Sequence, residues 1–175
     1  MKAIVLAAGK GTRLHSEEFN LPKVLREALG KPLLGYVLSN ISFVNKKDIC
    51  IVIGYMGEKV RAYAGEDYAY AVQSEQKGTG HAVMMAKDEF EGYDGDVLIV
   101  YGDMPLFKEE TYKAICKKHK ESGAALTLLT ADIKNPPAYG RIIRDENGSV
   151  KDIVEEKDCT DEQKRITELN VGVYV

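Results

Sequence analysis

The chain has 175 residues, of which 45% are hydrophobic, and its 24 basic and 27 acidic side chains give a formal net charge of −3. This length and composition suit one domain, or most of one, with a proper hydrophobic core. The charge balance argues against a nucleic-acid partner, which would favour a basic excess, and no apolar run approaches the roughly 18 residues that cross a membrane.

Strands and helices alternate along most of the chain. In chain order, the pattern predicts a strand at residues 2–6, a helix at 32–44, a strand at 49–53, a helix at 57–64, a strand at 70–73, a helix at 79–90, a strand at 97–101, a helix at 108–120 and a strand at 124–129. The strands are continuous apolar runs, and the helices carry apolar residues on one face. This alternation predicts an α/β, Rossmann-like fold with a mostly parallel sheet and helices on both faces.

The pattern changes after about residue 135. Residues 140–144 and 150–154 flank turn-forming residues and predict a β-hairpin. Residues 157–165 are polar and predict a surface helix or loop, and residues 169–175 predict a final strand. This strand has no cap or following helix, so we expect residues 1–175 to be one domain that is incomplete at its C-terminal end.

The N-terminus and the cysteines indicate the compartment. A strand-like run and a glycine loop follow Lys2, without the small-residue cleavage site of a secretory signal. The three cysteines, Cys50, Cys116 and Cys159, are far apart and form no CxxC pair, so neither a disulfide framework nor a zinc site is expected. We expect a cytoplasmic protein in which Cys50 and Cys116 are core residues.

A glycine-rich loop follows the first predicted strand. Residues 6–14 read LAAGKGTRL, and residues 21–23 read LPK. The exposed N–H groups of such a loop, with the cations Arg13 and Lys23 nearby, suit a polyphosphate. The loop fits neither a Walker A motif nor the dinucleotide fingerprint. The alternative is an ordinary strand-to-helix turn with solvated charges.

An acidic residue, Asp103, follows the predicted strand at 97–101. Ligands of parallel sheets bind beyond the carboxyl ends of the strands, so Asp103 and the glycine loop can share a site. A carboxylate beside a polyphosphate suits Mg²⁺. The alternative is that Asp103 caps the helix at 108–120 or its preceding turn.

Two glutamines precede a Gly-Thr-Gly segment that opens a predicted helix. The amides of Gln73 and Gln76 can pair with the edge of a nucleobase. The alternative is a capped helix start with Thr79 as the N-cap. We expect His81 to be a first-turn residue and not a general base, and His119 to lie at the edge of the core.

Six segments carry a resemblance to a known family. LAAGKGTRL…LPKVL, QSEQKGTGHA, YGDMPL, YGRIIRDENG, IVEEKD…TDEQ and ELNVGVYV occur in this order. Together they resemble the N-terminal uridylyltransferase domain of the bifunctional GlmU family, over essentially the whole chain. GxGTR…PK alone marks only the wider sugar-nucleotidyltransferase family. The resemblance implies that UTP and N-acetylglucosamine 1-phosphate are converted to UDP-N-acetylglucosamine and pyrophosphate, with Mg²⁺ as cofactor.

The resemblance also implies roles for individual residues. The implied nucleotide-binding residues are Leu6, Ala7, Ala8, Gly9, Gln73, Gln76, Gly78 and Thr79. The implied catalytic residues, which contact the phosphates, are Arg13 and Lys23, and the implied metal ligand is Asp103. The implied sugar-binding residues are Tyr101, Gly102, Gly140, Glu155 and Asn170. Glu155 is alternatively a solvated charge, with Glu156 competing for its role, and Asn170 alternatively serves strand-edge hydrogen bonding.

The chain departs from the family in two places. Residues 15–20 make the spacer before Lys23 longer than the family pattern. The family's domain also runs roughly 50 residues further, where an asparagine is the second metal ligand, and a left-handed β-helix acetyltransferase domain follows it. That second domain organises the family's trimer, so we expect this chain to be a monomer or a weak dimer.

Two further functions stay open. One is a related sugar-1-phosphate nucleotidyltransferase that uses another base or sugar. The other is a domain that binds a nucleotide or nucleotide sugar with little turnover, which the expected C-terminal truncation motivates.

Overall fold

The computed structural model describes residues 1–9, 11 and 20–175. Residue 10 and residues 12–19, which include Arg13 and most of the long spacer, lie outside the described residues. The strands are β1 (Lys2–Ala7), β2 (Glu27–Ala28), β3 (Lys31–Pro32), β4 (Ile49–Ile53), β5 (Ala69–Val72), β6 (Val97–Tyr101), β7 (Leu128–Asp132), β8 (Arg141–Arg144), β9 (Val150–Val154) and β10 (Glu168–Tyr174). The α-helices are α1 (Leu33–Asn40), α2 (Gly57–Ala64), α3 (Thr79–Met85) and α4 (Glu109–Ser122). Short 3-10 helices cover Lys23–Leu25, Lys46–Asp48, Lys87–Phe90, Glu156–Asp158 and Gln163–Arg165.

Among the described residues, eight strands form one sheet in the order β5-β4-β1-β6-β10-β8-β9, with β7 also paired to β10. The pairs β5/β4, β4/β1 and β1/β6 are parallel, as predicted. The pairs that β10 makes with β6, β7 and β8 are antiparallel, and so is the predicted hairpin β8/β9. The sheet therefore has a parallel part and an antiparallel part that meet at β10.

The two faces of the parallel part pack into separate hydrophobic cores. Ala3 and Val5 of β1 face a core that includes side chains of α1, α2 and α4. Ile4 and Leu6 face the opposite core, against α3. Since successive side chains of a strand point to opposite faces, a strand buried on both faces must be apolar throughout. This is why the continuous apolar runs were informative.

Cys50, Cys116 and His119 lie where the sequence predicts, and Cys159, for which no position was predicted, is buried as well. All three cysteines are free and buried. Burial raises the pKa of the Cys50 thiol to about 12 and also raises the pKa of the Cys116 thiol, which makes both poor nucleophiles. His119 is buried, and its Nδ1 lies 2.9 Å from the Thr127 hydroxyl.

Helix α4 carries acidic residues in its first turn and His119 and Lys120 in its last turn, as the helix dipole favours. It is the longest of the described helices, with 14 residues. No helix in the described part of the chain is long and apolar enough to cross a membrane.

Three predicted elements differ from the structure. The first helix ends at Asn40 and not at residue 44, because the next residues form tighter turns: Ser42 N donates to Ser39 O at 3.3 Å, and Val44 N donates to Ile41 O at 2.9 Å. The predicted helix at 79–90 divides into α3 and a 3-10 segment. The predicted strand at 124–129 lies later, at β7, because its pairing with β10 sets its position.

Tyr112 of α4 leads to a stability prediction. Its side chain is fully buried, its ring packs edge-on at 6.0 Å from Phe107, and its hydroxyl has no hydrogen-bond partner among the described residues. We expect Tyr112→Phe to raise the free energy of unfolding by about 1 kcal/mol, because it removes an unpartnered buried hydroxyl and keeps the ring. Tyr112→Ala is the comparison, with an expected loss of about 3–5 kcal/mol. Urea denaturation measures both, and a clear loss in Tyr112→Phe would contradict the assignment.

Candidate functional site

The site lies at the edge of the sheet where the four parallel strands end. The segments that follow these strands are joined by backbone hydrogen bonds. Gln73 N donates to Ile53 O at 2.8 Å, Tyr55 N donates to Ala8 O at 3.3 Å, and Gly102 N donates to Leu6 O at 2.9 Å. Segments that are far apart in sequence therefore form one continuous surface.

A cavity of about 410 Å³ opens at this edge. Its lining residues are Leu6, Ala8, Gly9, Gly11, Lys23, Val24, Gln73, Gln76, Gly78, Thr79, Ala82, Tyr101 and Asp103. The structure thus brings together seven of the eight predicted nucleotide-binding residues with Lys23 and Asp103. Ala7 is the exception, since it is buried in the core on the other face of β1.

The two predicted amide side chains are held by neighbouring groups. Gln76 Nε2 donates to Ala8 O at 2.9 Å, which connects the glutamine segment to the end of β1. Gln73 Nε2 donates to Gly78 O at 3.1 Å. These contacts fix both amides at the cavity.

Thr79 does not cap α3. Gly78 occupies the N-cap position, and no side chain there makes a cap hydrogen bond. Thr79 is instead the first residue of the helix, and its hydroxyl lies 3.1 Å from the Tyr101 hydroxyl. His81 lies in the first turn of α3, as predicted.

Lys23 and Asp103 form an ion pair in the cavity. Their side chains are 37% and 18% exposed, respectively. Asp103 does not cap α4, because the N-cap is Lys108 and no side chain caps that helix. The structure therefore excludes capping of α4 by Asp103, and its role as a metal ligand stays a prediction. Arg13, the other predicted cation, lies outside the described residues.

Asp103 fits a metal that binds together with a substrate. Its Oδ2 contacts Lys23. Those residues contain no group of three or more metal-ligating side chains. Mg²⁺ is commonly held by one or two carboxylates, with phosphate and water oxygens completing its shell, so a single aspartate beside a phosphate site suits it.

Three of the predicted sugar-binding residues form a second cluster. Asn170 N donates to Gly140 O at 2.8 Å. A side chain at Gly140 would bring its Cβ within 3.5 Å of Glu155 Oε1, so the Glu155 carboxylate faces this glycine. These residues come together as predicted, but they do not line the cavity described above.

Tyr101 lies between the cavity and the second cluster. Burial raises the pKa of its phenol to about 12; the Thr79 hydroxyl opposes this increase, and Tyr174 and Glu155 add to it. Tyr174 in turn accepts a hydrogen bond from Asn170 Nδ2 at 2.7 Å. Tyr101 thus borders both regions. Gly102 is buried and lines neither the cavity nor the second cluster. Its backbone N–H donates to Leu6 O, which joins the end of β6 to β1.

Two glycines that shape the site were not predicted. A Cβ at Gly54 would lie 2.8 Å from Ala8 O and 2.9 Å from Gln73 O, so only glycine lets these segments approach so closely. Gly172 has a φ of +76°, at the irregular part of β10, and the Tyr101 ring occupies the position of its missing side chain. For Gly172, the signal in the sequence was an isolated glycine within the strand-like segment ELNVGVYV.

We expect Gly172→Ala to lower the free energy of unfolding by about 2 kcal/mol or more and to weaken the nucleotide binding that the resemblance implies, because the new methyl displaces the Tyr101 ring. Gly148→Ala is the matched control, since Gly148 has a φ of +79° and open space around it. Urea denaturation and calorimetry with UTP measure the two effects. Equal losses in the two variants would show that the contact with Tyr101 contributes nothing.

Comparison with known proteins shows the class of this chain. The family model for nucleotidyl transferases matches residues 2–175. The chain therefore belongs to the nucleotidyl transferase family.

Its relatives include several proteins named bifunctional protein GlmU. Those from Streptococcus equi subsp. zooepidemicus and Lactococcus lactis are 44% and 46% identical over 99% of this chain, and that from Clostridium novyi is 46% identical over 98%. The resemblance inferred from the motifs is confirmed. In each case the matched region covers 37% of the relative, so the chain spans just over a third of their length.

Two solved structures share the fold. One, from Bacillus anthracis, is named as a glucose-1-phosphate thymidylyltransferase in complex with sucrose; it is 22% identical, with a TM-score of 0.80 over 99% of this chain and 70% of its own. The other is a UDP-glucose pyrophosphorylase with bound UDP-glucose, 19% identical, with a TM-score of 0.77 over 99% of this chain and 74% of its own. Because both identities are low, these structures bear on the fold alone, and they confirm the α/β fold class.

Proposed function

We propose that this chain carries the uridylyl-transfer site of an enzyme that forms UDP-N-acetylglucosamine and pyrophosphate from UTP and N-acetylglucosamine 1-phosphate. The observation that carries the proposal is the cavity at the carboxyl edge of the sheet, which gathers two amide side chains and the Lys23–Asp103 ion pair. The identity of 44–46% to proteins named GlmU supports the same function.

The proposed reaction is an in-line displacement at the α-phosphorus of UTP. A phosphate oxygen of the sugar 1-phosphate forms the new bond, and the bond from the α-phosphorus to the bridging oxygen of pyrophosphate breaks. The nucleophile is already an anion, so no general base is required. The obstacles are the repulsion between anions and the charge that develops on the leaving pyrophosphate.

Residues of the cavity address both obstacles. Lys23 brings a positive charge to the phosphates, and Arg13 is proposed, by resemblance, to share this role. Asp103 would hold Mg²⁺. A divalent cation there supplies charge that neutralises the α-phosphate and the leaving group. The amides of Gln73 and Gln76 would orient the uracil, while Gly9 and Gly11 let the chain pass close to the nucleotide.

The second cluster is proposed to bind the acceptor. Gly140 leaves space beside Glu155 and Asn170, whose carboxylate and amide can bond the hydroxyl and acetamido groups of an amino sugar. Tyr101 separates this cluster from the nucleotide cavity, so the two substrates would meet at its ring. Gly102 would contribute by keeping the end of β6 close to β1.

Several further assignments belong to the same proposal. The chain would be one part of a longer nucleotidyltransferase domain, active in the cytoplasm, with Mg²⁺ as cofactor. It would act as a monomer or a weak dimer. We propose no nucleic-acid or membrane partner.

The test is a panel of four nucleoside triphosphates and several sugar 1-phosphates, read by pyrophosphate release in the presence of Mg²⁺. We expect UTP with N-acetylglucosamine 1-phosphate to react fastest. A preference for TTP or GTP would identify a related transferase instead. Calorimetry on the same protein distinguishes a binding domain, which would bind UDP-N-acetylglucosamine tightly and release no pyrophosphate.

A further inference from the structure

Gln73 is the most deeply buried polar residue of the cavity. It follows β5 directly, its backbone N–H is bonded to Ile53 O, and only 5% of the residue is exposed. A polar side chain in such a position needs its hydrogen-bonding groups satisfied. The partners of its amide therefore show what the cavity can recognise.

The amide nitrogen of Gln73 faces two acceptors. Gly78 O lies 3.1 Å away, and a backbone carbonyl can only accept, so the atom beside it must be the amide nitrogen. The same nitrogen lies 3.0 Å from His81 Nδ1. Because both amide hydrogens are used as donors, Nδ1 of His81 must be the unprotonated nitrogen, and the proton of the neutral ring lies on Nε2.

The carbonyl oxygen of Gln73 has no such partner. No residue in the described part of the chain donates to it. Gln73 lines the cavity, so we place this oxygen toward the space within it. This oxygen is a hydrogen-bond acceptor to which a ligand in the cavity can donate.

We infer that His81 is a positioning residue that selects the base by fixing the amide of Gln73 with its oxygen toward the ligand. The inference rests on the proposed use of UTP. Uracil has one hydrogen-bond donor on its base edge, N3–H, so the Gln73 oxygen meets N3–H. Cytosine has the same shape and an unprotonated N3, which would face that oxygen as a second acceptor.

Rotation of the Gln73 amide would accommodate cytosine, and His81 opposes it. The rotated amide would place its oxygen against Gly78 O, which is always an acceptor, and against His81 Nδ1, which is an acceptor while the ring proton lies on Nε2. The backbone carbonyl cannot be removed by substitution, but the imidazole can. His81 is thus the part of this restraint that a variant can test.

The experiment measures the dissociation constants of UTP and CTP by calorimetry, with Mg²⁺, for the wild type and three variants. His81→Leu removes the acceptor, and His81→Gln moves it to the position of Nε2. In both we expect the preference for UTP over CTP to fall about tenfold, the value of one hydrogen bond. His81→Asn places an amide oxygen near the position of Nδ1 and is expected to keep the preference.

Each other result has a definite meaning. If His81→Leu and His81→Gln keep the wild-type preference, the inference is wrong and the proposed function stands. If His81→Asn loses as much as the other two, His81 acts only in packing and the inference is wrong. If the wild type binds CTP as well as UTP, both the inference and the proposed function fail. Thermal unfolding of each variant shows that the comparison concerns folded protein.

Discussion

Asp103→Asn is expected to lower the rate of pyrophosphate release by about a hundredfold or more. Asparagine keeps the size of the side chain and removes the charge that we propose attracts a divalent cation. It also removes the partner of Lys23 in the ion pair. We expect the turnover rate to fall and the affinity for UTP to depend less on the metal. Other properties of the cavity should be unaffected, because the rest of it is unchanged.

The matched control for Asp103 is Asp67→Asn. Asp67 also forms an ion pair with a lysine, Lys46, at 2.9 Å, but on the exposed surface. We expect this variant to retain the wild-type rate. Calorimetry of UTP with and without Mg²⁺ gives a second measurement. If Asp103→Asn turns over near the wild-type rate, or binds UTP with unchanged metal dependence, Asp103 is not the metal ligand.

Lys23→Met is expected to lower turnover on the order of a hundredfold. Methionine keeps most of the aliphatic volume of Lys23 and removes the positive charge that we propose faces the phosphates. The charge is needed most when the leaving pyrophosphate develops its own, so kcat should fall more than the affinity for UTP. Lys46→Met, at the surface ion pair, is the control.

The double variant separates two roles of Lys23. If Lys23 acts only by holding Asp103, then Lys23→Met should cost nothing further in the Asp103→Asn background. If it contacts the phosphates directly, as we propose, the double variant should be clearly slower than Asp103→Asn alone. A turnover of Lys23→Met close to that of the wild type would exclude both roles.

The sequence predicted the parallel part of the fold well, because burial on both faces leaves a clear mark on the sequence. Strand β4 and helix α2 have the predicted bounds. Strand β7 was misplaced because its residues are only partly buried, and pairing with β10 determines which of them form a strand. Local sequence carries little of that information.

The candidate site, like the fold, could be predicted from local sequence only in part. Asp103 and Gln73 were found from sequence because a charge or an amide at a strand end stands out against apolar residues, and Lys23 was found through its association with the glycine loop. Gly54 and Tyr174 were missed because their roles depend on which segments approach them in space. His81 was recognised as a first-turn residue, but its contact with Gln73 depends on the turn at Gly78.

The position of β10 has a consequence for folding kinetics. Strand β7 and the hairpin β8/β9 pair with the rest of the sheet only through β10, and β10 pairs with β6 across about seventy residues of sequence. The antiparallel half therefore cannot dock until this late strand has closed a long loop. We expect the amide-exchange protection of β7, β8 and β9 to appear no earlier than that of β10, because they join the rest of the sheet through it.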